Sequence, residues 1–197
     1  AASGILGGAK VGTAVLVLPW HNPILLAEQV ATLDMLSAGR FDLGVGKGYR
    51  HNEFAGFAMR PEEAEPRFEE VLAVLCRALS SNEPFSHRGR FWRFDDIVVE
   101  PPPYQRPHPP VWLAASSVNS ITLCARRGYN LLLDQFASPE QIGERIGLYR
   151  QELEAAGHAY DPMRVAVARN CWVALDAVER DEAIGRQASQ AHDQLGL

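Results

Sequence analysis

The chain has 197 residues, a formal net charge of −5, and 47% hydrophobic and 22% charged residues. This composition is that of a globular protein with a sizeable core, and the lack of a basic stripe argues against a nucleic-acid partner. No apolar run approaches the roughly 20 residues that span a bilayer, and the first ten residues lack the pattern of a secretory signal. The sequence therefore predicts a cytoplasmic protein with neither a nucleic-acid nor a membrane partner.

Cysteine and histidine spacing gives no sign of a metal site. The three cysteines, Cys76, Cys124 and Cys171, lie far apart in the chain, which argues against a disulfide framework and against a zinc site. None of the six histidines has a ligand spacing. We predict that the cysteines pack as small apolar side chains and that the protein holds no metal.

The opening of the chain predicts a strand, a helix and a second strand. Residues 11–18 are apolar and β-branched, as in a strand buried on both faces. Pro23 marks a helix start, and Gly39 marks its end. Residues 41–45 form the next strand, which runs into a glycine-rich turn. Such a βαβ unit is parallel, and the glycines allow a ligand to approach the backbone at the end of the strand.

The remainder of the chain continues this alternation after one interruption. Residues 80–104 do not fit the repeat and predict two short strands around a turn at Gly89. Five strands that alternate with helices imply a parallel sheet, which an open doubly wound fold and an incomplete (β/α)8 barrel satisfy equally. The further predicted strands cover residues 111–115, 129–133 and 164–175, and the further helices residues 62–79, 116–128, 139–156 and 176–193.

Several short motifs follow one another in a fixed order from residue 12 to residue 48. They are Gly12-Thr13-Ala14-Val15, Leu18-Pro19, Asn22-Pro23, Ala27-Glu28, Leu33-Asp34, LSAGRF at residues 36–41 and GVGKG at residues 44–48. In this order they resemble the bacterial luciferase-like monooxygenases, a family of flavin- and deazaflavin-dependent oxidoreductases. A weaker resemblance continues through residues 109–116 to about residue 182.

The resemblance implies an α/β fold, the (β/α)8 barrel of the luciferase-like type. The chain would be a single domain over residues 1–197 that holds about strands three to seven, with residues 80–104 inserted after the helix of the fourth strand. Five-eighths of a barrel leaves two unpaired strand edges. We therefore expect either a fragment of a chain of roughly 300 residues or more, or a shortened protein that pairs its edges across a dimer.

The resemblance also implies a flavin site. Thr13, Ala14 and Val15 match the segment beneath the flavin ring, where a cis peptide between Ala14 and Val15 is expected. Lys47 stands where the family often has arginine, although a lysine lacks the planar fork of arginine. Arg67 matches an arginine that reaches the flavin phosphate.

The start of the helix after the third predicted strand offers a second phosphate anchor. Ala115 and Ser116 replace the glutamate–serine or glycine–serine pair of the family, and Ser117 follows them. Amides at a helix N-terminus and serine hydroxyls suit an anion.

Ordinary structural roles stay open for the same residues. Arg67 can pair with Glu63 or Glu70, either serine can cap its helix, Lys47 can be a surface charge, and residues 13–15 can be a plain core strand.

Catalytic residues are not identified by the sequence, and His21 and Asn22 are only weak candidates. Both follow the first predicted strand, on the face where barrels keep their active sites. Histidine titrates near neutrality and can move protons, and Asn22 matches a polar position close to the flavin in the family. Capping or loop roles stay open for both residues.

The resemblance implies a monooxygenase that uses reduced FMN and O2 to oxygenate a small organic substrate, with the reduced FMN supplied by a separate flavin reductase. One alternative is a dehydrogenase or reductase that transfers hydride through 8-hydroxy-5-deazaflavin, and another is a non-catalytic flavin-binding relative. A homodimer is expected through the helix over residues 23–37, whose exposed face is predicted to carry few charges, Glu28 and Asp34. The substrate is not predicted.

Overall fold

The computed structural model describes residues 7–169 and 171–195, with side chains described as far as residue 186. The elements are β1 (Val11–Gly12), β2 (Leu16–Val17), α1 (Pro23–Leu36), β3 (Phe41–Gly46), α2 (His51–Gly56), α3 (Ala64–Ser80), β4 (Phe85–Arg88), β5 (Arg93–Ile97), β6 (Val111–Ala114), α4 (Val118–Arg126), β7 (Asn130–Leu133), α5 (Pro139–Ala155), β8 (Val165–Val167) and α6 (Ala177–Leu195). Three short 3-10 turns cover Leu18–Trp20, Pro61–Glu63 and Pro162–Arg164.

The main sheet is parallel, and its strands follow one another in sequence order. The order is β1-β3-β6-β7-β8, and β2 pairs with the far end of β3. A doubly wound sheet reverses direction at a switch point, and no reversal occurs among the described strands. The sheet is a curled half-barrel, which confirms the incomplete (β/α)8 barrel and rejects the doubly wound alternative.

Alternate side chains of the sheet point in opposite directions. Leu43, Leu113, Leu131 and Leu133 are almost completely buried and belong to the main core. In that core they join the buried apolar residues of α3, namely Phe68, Val71, Leu72, Val74, Leu75, Ala78 and Leu79, together with Ile121, Cys124, Tyr149 and Leu153. The periodicity of residues 62–79 predicts this buried face of α3 correctly.

The opposite, concave face of the sheet is open. Asp42, Trp112, Leu132 and Ala166 line a cavity of about 270 Å³ on that face. Their side chains are partly exposed, whereas their neighbours along the strands are mostly buried. The described helices therefore cover the sheet on one side only.

The first predicted strand is interrupted in its middle. The Thr13 hydroxyl donates to the Gly44 carbonyl at 2.7 Å and accepts from the Gly44 amide at 2.9 Å, so a side chain occupies the place of a ladder partner. The expected cis peptide between Ala14 and Val15 is present. One continuous strand over residues 11–18 is therefore wrong, and β1 and β2 flank the interruption.

The last strand is much shorter than the sequence predicts. A strand over residues 164–175 is wrong because β8 covers only Val165–Val167. In the described part of the chain β8 pairs with β7 alone, so no further ladder extends it. Val173 and Leu175 are 90% and 87% exposed. Residue 170, within the predicted strand, lies outside the described residues.

The region between α3 and β6 contains the expected hairpin. β4 and β5 are antiparallel, with Arg88 opposite Arg93. The Glu70 carboxylate of α3 accepts the amides of Phe91 and Trp92 at 2.9 and 2.8 Å and also contacts His87 at 3.1 Å. The two predicted strands are confirmed. That residues 80–104 are an insertion in a single domain stays a prediction.

Two burial predictions are wrong. Asp34 is expected on the exposed face of α1 but is fully buried. Its carboxylate accepts hydrogen bonds from the backbone amide of Gln105 at 2.7 Å and from the side-chain amide of the same residue at 2.8 Å. Cys171 is exposed, since it follows the end of β8. Cys124 is buried as expected, and burial raises the pKa of its thiol to about 12.

Candidate functional site

A cavity of about 470 Å³ opens at the carboxyl ends of β2, β3, β6 and β7. Ligand sites of α/β proteins lie at this edge of a parallel sheet, and the volume is within the range of small-molecule sites. The cavity is the candidate site.

Small and apolar residues form the floor of this cavity. Ala14, Val15, Gly46, Ala114 and Leu132 line it. A Cβ at position 46 would lie 2.8 Å from the Val15 side chain, so a larger residue would displace the floor. The glycine-rich turn that the sequence singles out therefore keeps the cavity open. Of the three residues predicted beneath a flavin ring, Ala14 and Val15 line it, whereas Thr13 lies in the smaller cavity on the concave face.

An ion pair bounds the cavity on one side. Lys47, which follows β3, donates to the carboxylate of Glu65 in the first turn of α3. The two side chains are 47% and 59% exposed, and both line the cavity. The sequence identifies Lys47 but not Glu65, whose only local signal is an acidic residue near a helix start.

The N-terminus of α4 bounds the cavity on another side. Ala115, Ser116 and Ser117 all line the cavity, and their role in binding a cofactor stays a prediction. Ser117 is the N-cap, and it exchanges hydrogen bonds with Ser120 in a capping box. The Ser117 hydroxyl accepts the Ser120 amide at 3.3 Å, and the Ser120 hydroxyl accepts the Ser117 amide at 3.1 Å. Ser120 also lines the cavity, and its signal is the Ser-x-x-Ser spacing.

Three further polar residues line the cavity without having been singled out as cofactor or catalytic residues. Asp134 follows β7 and accepts the Phe136 amide at 2.8 Å and an Arg145 nitrogen at 3.0 Å, so its carboxylate is held in place. Tyr49 and Glu53 lie where α2 begins. Asp134 could have been found from its place at the end of a strand, whereas the approach of α2 depends on the tertiary fold.

Arg67 is not among the residues that line the cavity. Its guanidinium lies 4.2 Å from the centre of the Phe91 ring, and its Nε donates to Glu63 at 3.0 Å. On α3, Glu65 and Phe68 face the cavity, and Arg67 projects from a different side of the helix. The structure therefore places Arg67 in the ion pair with Glu63 that the sequence leaves open, and a role on a phosphate stays a prediction.

His21 and Asn22 do not line the cavity either. The Asn22 side chain caps α1 and accepts the amides of Ile24 and Leu25 at 2.9 and 3.2 Å. His21 is half-buried, and burial lowers the pKa of its imidazole, which favours the neutral ring. The catalytic role of either residue stays a prediction.

Neither metal binding nor membrane crossing has a structural sign in the described part of the chain. No group of three His, Cys, Asp or Glu residues within it is arranged to hold a metal ion. None of the described helices combines the length and apolar character that crossing a bilayer requires.

Comparison with known proteins places this cavity in context. The chain is 31% identical to the FMNH2-dependent dimethylsulfone monooxygenase of Pseudomonas putida, over 89% of this chain and 47% of that protein. It is 26% identical to the oxygenase component of the flavin-dependent trigonelline monooxygenase of Acinetobacter baylyi, over 95% of this chain and 52% of that protein. The chain thus spans about half the length of the curated relatives it matches.

A solved structure has the same fold. The crystal structure of the monooxygenase RslO1 from Streptomyces bottropensis superposes with a TM-score of 0.84 and 30% identity, and the match covers 95% of this chain and 57% of that chain. Residues 9–195 match the profile of the luciferase-like monooxygenases. With nearly the whole chain matched and the half-barrel in place, this chain belongs to the luciferase-like monooxygenase family.

Proposed function

We propose that this chain forms the flavin site of a monooxygenase that uses reduced FMN and O2 to oxygenate a small organic substrate. The observation that carries the proposal is the cavity of about 470 Å³, which combines an apolar floor with a lysine and a helix N-terminus at its edge. A flavin needs both, a dry face for the ring and donors for the phosphate. The names of the two curated relatives support the same chemistry.

The residues of the cavity divide between the two parts of FMN. Ala14, Val15 and Leu132 would pack against the ring, and Lys47 would meet the phosphate together with the serines and amides at the start of α4. When bound, reduced FMN supplies the electrons for oxygen transfer from O2 to the substrate.

The chain itself excludes water and orients its ligands. The buried residue Gly46 forms part of the floor, and the bonded carboxylate of Asp134 fixes one wall. On the α2 side, Tyr49 is 64% exposed and Glu53 is partly exposed. Both residues line the cavity and would meet the substrate at its mouth. His21 stays a candidate for proton transfer and Asn22 for orienting a ligand, although neither residue lines the cavity.

A separate reductase and a second copy of this chain complete the proposal. One relative is named as an oxygenase component, which supports delivery of reduced FMN by another protein. Leu25, Leu33 and Leu36 on α1 are 58%, 47% and 71% exposed. Such an apolar face fits an interface between two copies.

Ligand titration tests the proposed function. Purified protein is titrated with FMN, with riboflavin and with 8-hydroxy-5-deazaflavin, and tryptophan fluorescence and ligand absorbance are followed. We expect FMN to bind more tightly than riboflavin, and a Lys47→Met variant to lose at least about tenfold of FMN affinity while riboflavin affinity stays within about twofold. Selective binding of the deazaflavin would favour hydride transfer, and binding of none of the three would contradict the proposal.

Oxygen consumption separates catalysis from binding alone. With a flavin reductase present, uptake of O2 that depends on an added organic substrate and yields a product one oxygen atom heavier is expected. Tight FMN binding without any such product from a broad substrate panel would favour the non-catalytic relative.

A further inference from the structure

The charge balance at the edge of the cavity is unusual for a site that receives a phosphate. Among the described lining residues Lys47 is the only cation, whereas Glu53, Glu65 and Asp134 are acidic. Asp134 is paired with Arg145, and Glu53 lies 3.6 Å from an Arg50 nitrogen. Among the described residues, the ion-pair partner of Glu65 is Lys47 itself.

We propose that Glu65 is a built-in competitor for Lys47 that weakens the hold on the flavin phosphate and so allows the flavin to exchange. This inference rests on the proposed function, since it takes the flavin phosphate as the anion that Lys47 receives. Glu65 would act through Lys47, without contacting the reacting atoms.

The electrostatic argument has two steps. A carboxylate in contact with the ammonium neutralises most of the charge that would attract a phosphate, and it repels a phosphate that approaches the same lysine. An exposed ion pair of this kind is also weak, so an arriving phosphate can displace it. The pair therefore lowers the affinity of the site without blocking it.

The position of the two residues fits exchange better than permanent retention. Lys47 and Glu65 are about half exposed at the edge of the cavity, not enclosed within it. A flavin that arrives reduced from another protein has to enter and leave in each cycle, so a phosphate anchor of reduced strength speeds its release. Affinity differences of this kind are expressed mainly in the dissociation rate.

The test compares Glu65→Gln with the wild type for two ligands that differ only in the phosphate. We expect Glu65→Gln to bind FMN roughly five- to thirtyfold more tightly, with slower FMN release in stopped-flow displacement and with riboflavin affinity unchanged within about twofold. Glu62→Gln is the matched control, since Glu62 is exposed at the start of the same helical segment and does not line the cavity. It removes the same charge and should change neither affinity.

The double variant Lys47→Met/Glu65→Gln separates competition from a general charge effect. The gain in FMN affinity should disappear in the Lys47→Met background, because Glu65 acts through Lys47. A gain that persists there, or weaker FMN binding by Glu65→Gln, would overturn the inference, the latter by making Glu65 a residue that positions Lys47.

The two proposals fail in different ways. If the wild type binds FMN and Lys47→Met weakens this binding but Glu65→Gln has no effect, only the competitor role is refuted. If the wild type shows no preference for FMN over riboflavin, both the phosphate site and the competitor role are refuted. Thermal unfolding of each variant verifies that the fold is retained.

Discussion

Two acidic residues of α3 show how neighbouring side chains of one type acquire different roles. Glu65 is exposed and meets Lys47 at the cavity, whereas the side chain of Glu70 is only 11% exposed and receives two backbone amides of the hairpin. Burial by itself would raise the pKa of Glu70, but the hydrogen bonds from Phe91, His87 and Trp92 outweigh it, so that the pKa lies below its usual range.

Replacement of Glu70 by Gln should loosen the hairpin. The amide keeps the shape but loses the charge that strengthens the bonds to Phe91 and Trp92, so the free energy of unfolding should fall by about 1–2 kcal/mol. Since the pKa of Glu70 is lowered by folding, its stabilisation is present above the unfolded pKa and is lost as the pH falls through the folded pKa. Urea unfolding should therefore give a difference between variant and wild type that shrinks below about pH 4. A constant difference across pH would contradict this account.

Gly44 and Gly143 should respond in opposite directions to the same substitution. A Cβ at position 44 would lie 1.7 Å from the Thr13 carbonyl oxygen, which is backbone and cannot turn away. Gly44→Ala should destabilise the protein by about 3 kcal/mol or more. Gly143 lies within α5 with no atom within 4 Å of an added Cβ, so Gly143→Ala should stabilise by about 0.8 kcal/mol. Chemical denaturation of both variants provides the measurement.

At the scale of elements, one buried carboxylate joins α1 to the proline-rich segment before β6. Asp34 is fully buried, and the Gln105 side chain bridges it to the Phe41 carbonyl at 2.7 Å. A helix, a strand and a linker therefore meet at a single glutamine.

Gln105→Ala should release this linker. The substitution leaves one oxygen of the buried Asp34 carboxylate without its donor, which should cost about 3 kcal/mol of unfolding free energy. Hydrogen exchange at the amides of residues 104–106 and 108, which are not prolines, should rise at the same time. Gln151→Ala, at an exposed position of α5, is the control and should change neither quantity. Wild-type protection of the linker in the Gln105 variant would refute the role of the contact.

At the scale of the whole molecule, the exposed apolar face of α1 should govern association. A double variant with Leu25→Glu and Leu33→Glu places two charges on the face where both leucines are about half exposed. We expect it to raise the dimer dissociation constant at least about a hundredfold, measured by sedimentation equilibrium. Met163→Glu changes an apolar residue that is 79% exposed away from α1 and should leave the dimer intact. A wild type that is monomeric would refute this interface.

Local patterns were enough to predict most elements of the fold. The apolar repeat of α3, the start of α5 at Pro139 and the turn at Gly89 all depend on residues within a few positions of one another. Helix and strand periodicity are local properties, so the sequence could predict these elements. The placement of residues 46–48 and 115–117 at the cavity follows in the same way, because a parallel strand always presents its carboxyl end to the same edge of the sheet. Their role in binding a cofactor stays a prediction.

The sequence by itself determined the alternation of strands and helices, the family resemblance and the edge of the sheet at which a ligand can bind. Only the tertiary structure decided that Glu65 meets Lys47, that Arg67 faces Glu63 and Phe91, and that β8 ends at Val167. It also decided the burial of Asp34 by a residue 71 positions away. The physical reason is that a side chain chooses its partner from whatever the packed elements bring within reach, and spacing along one element does not contain that information.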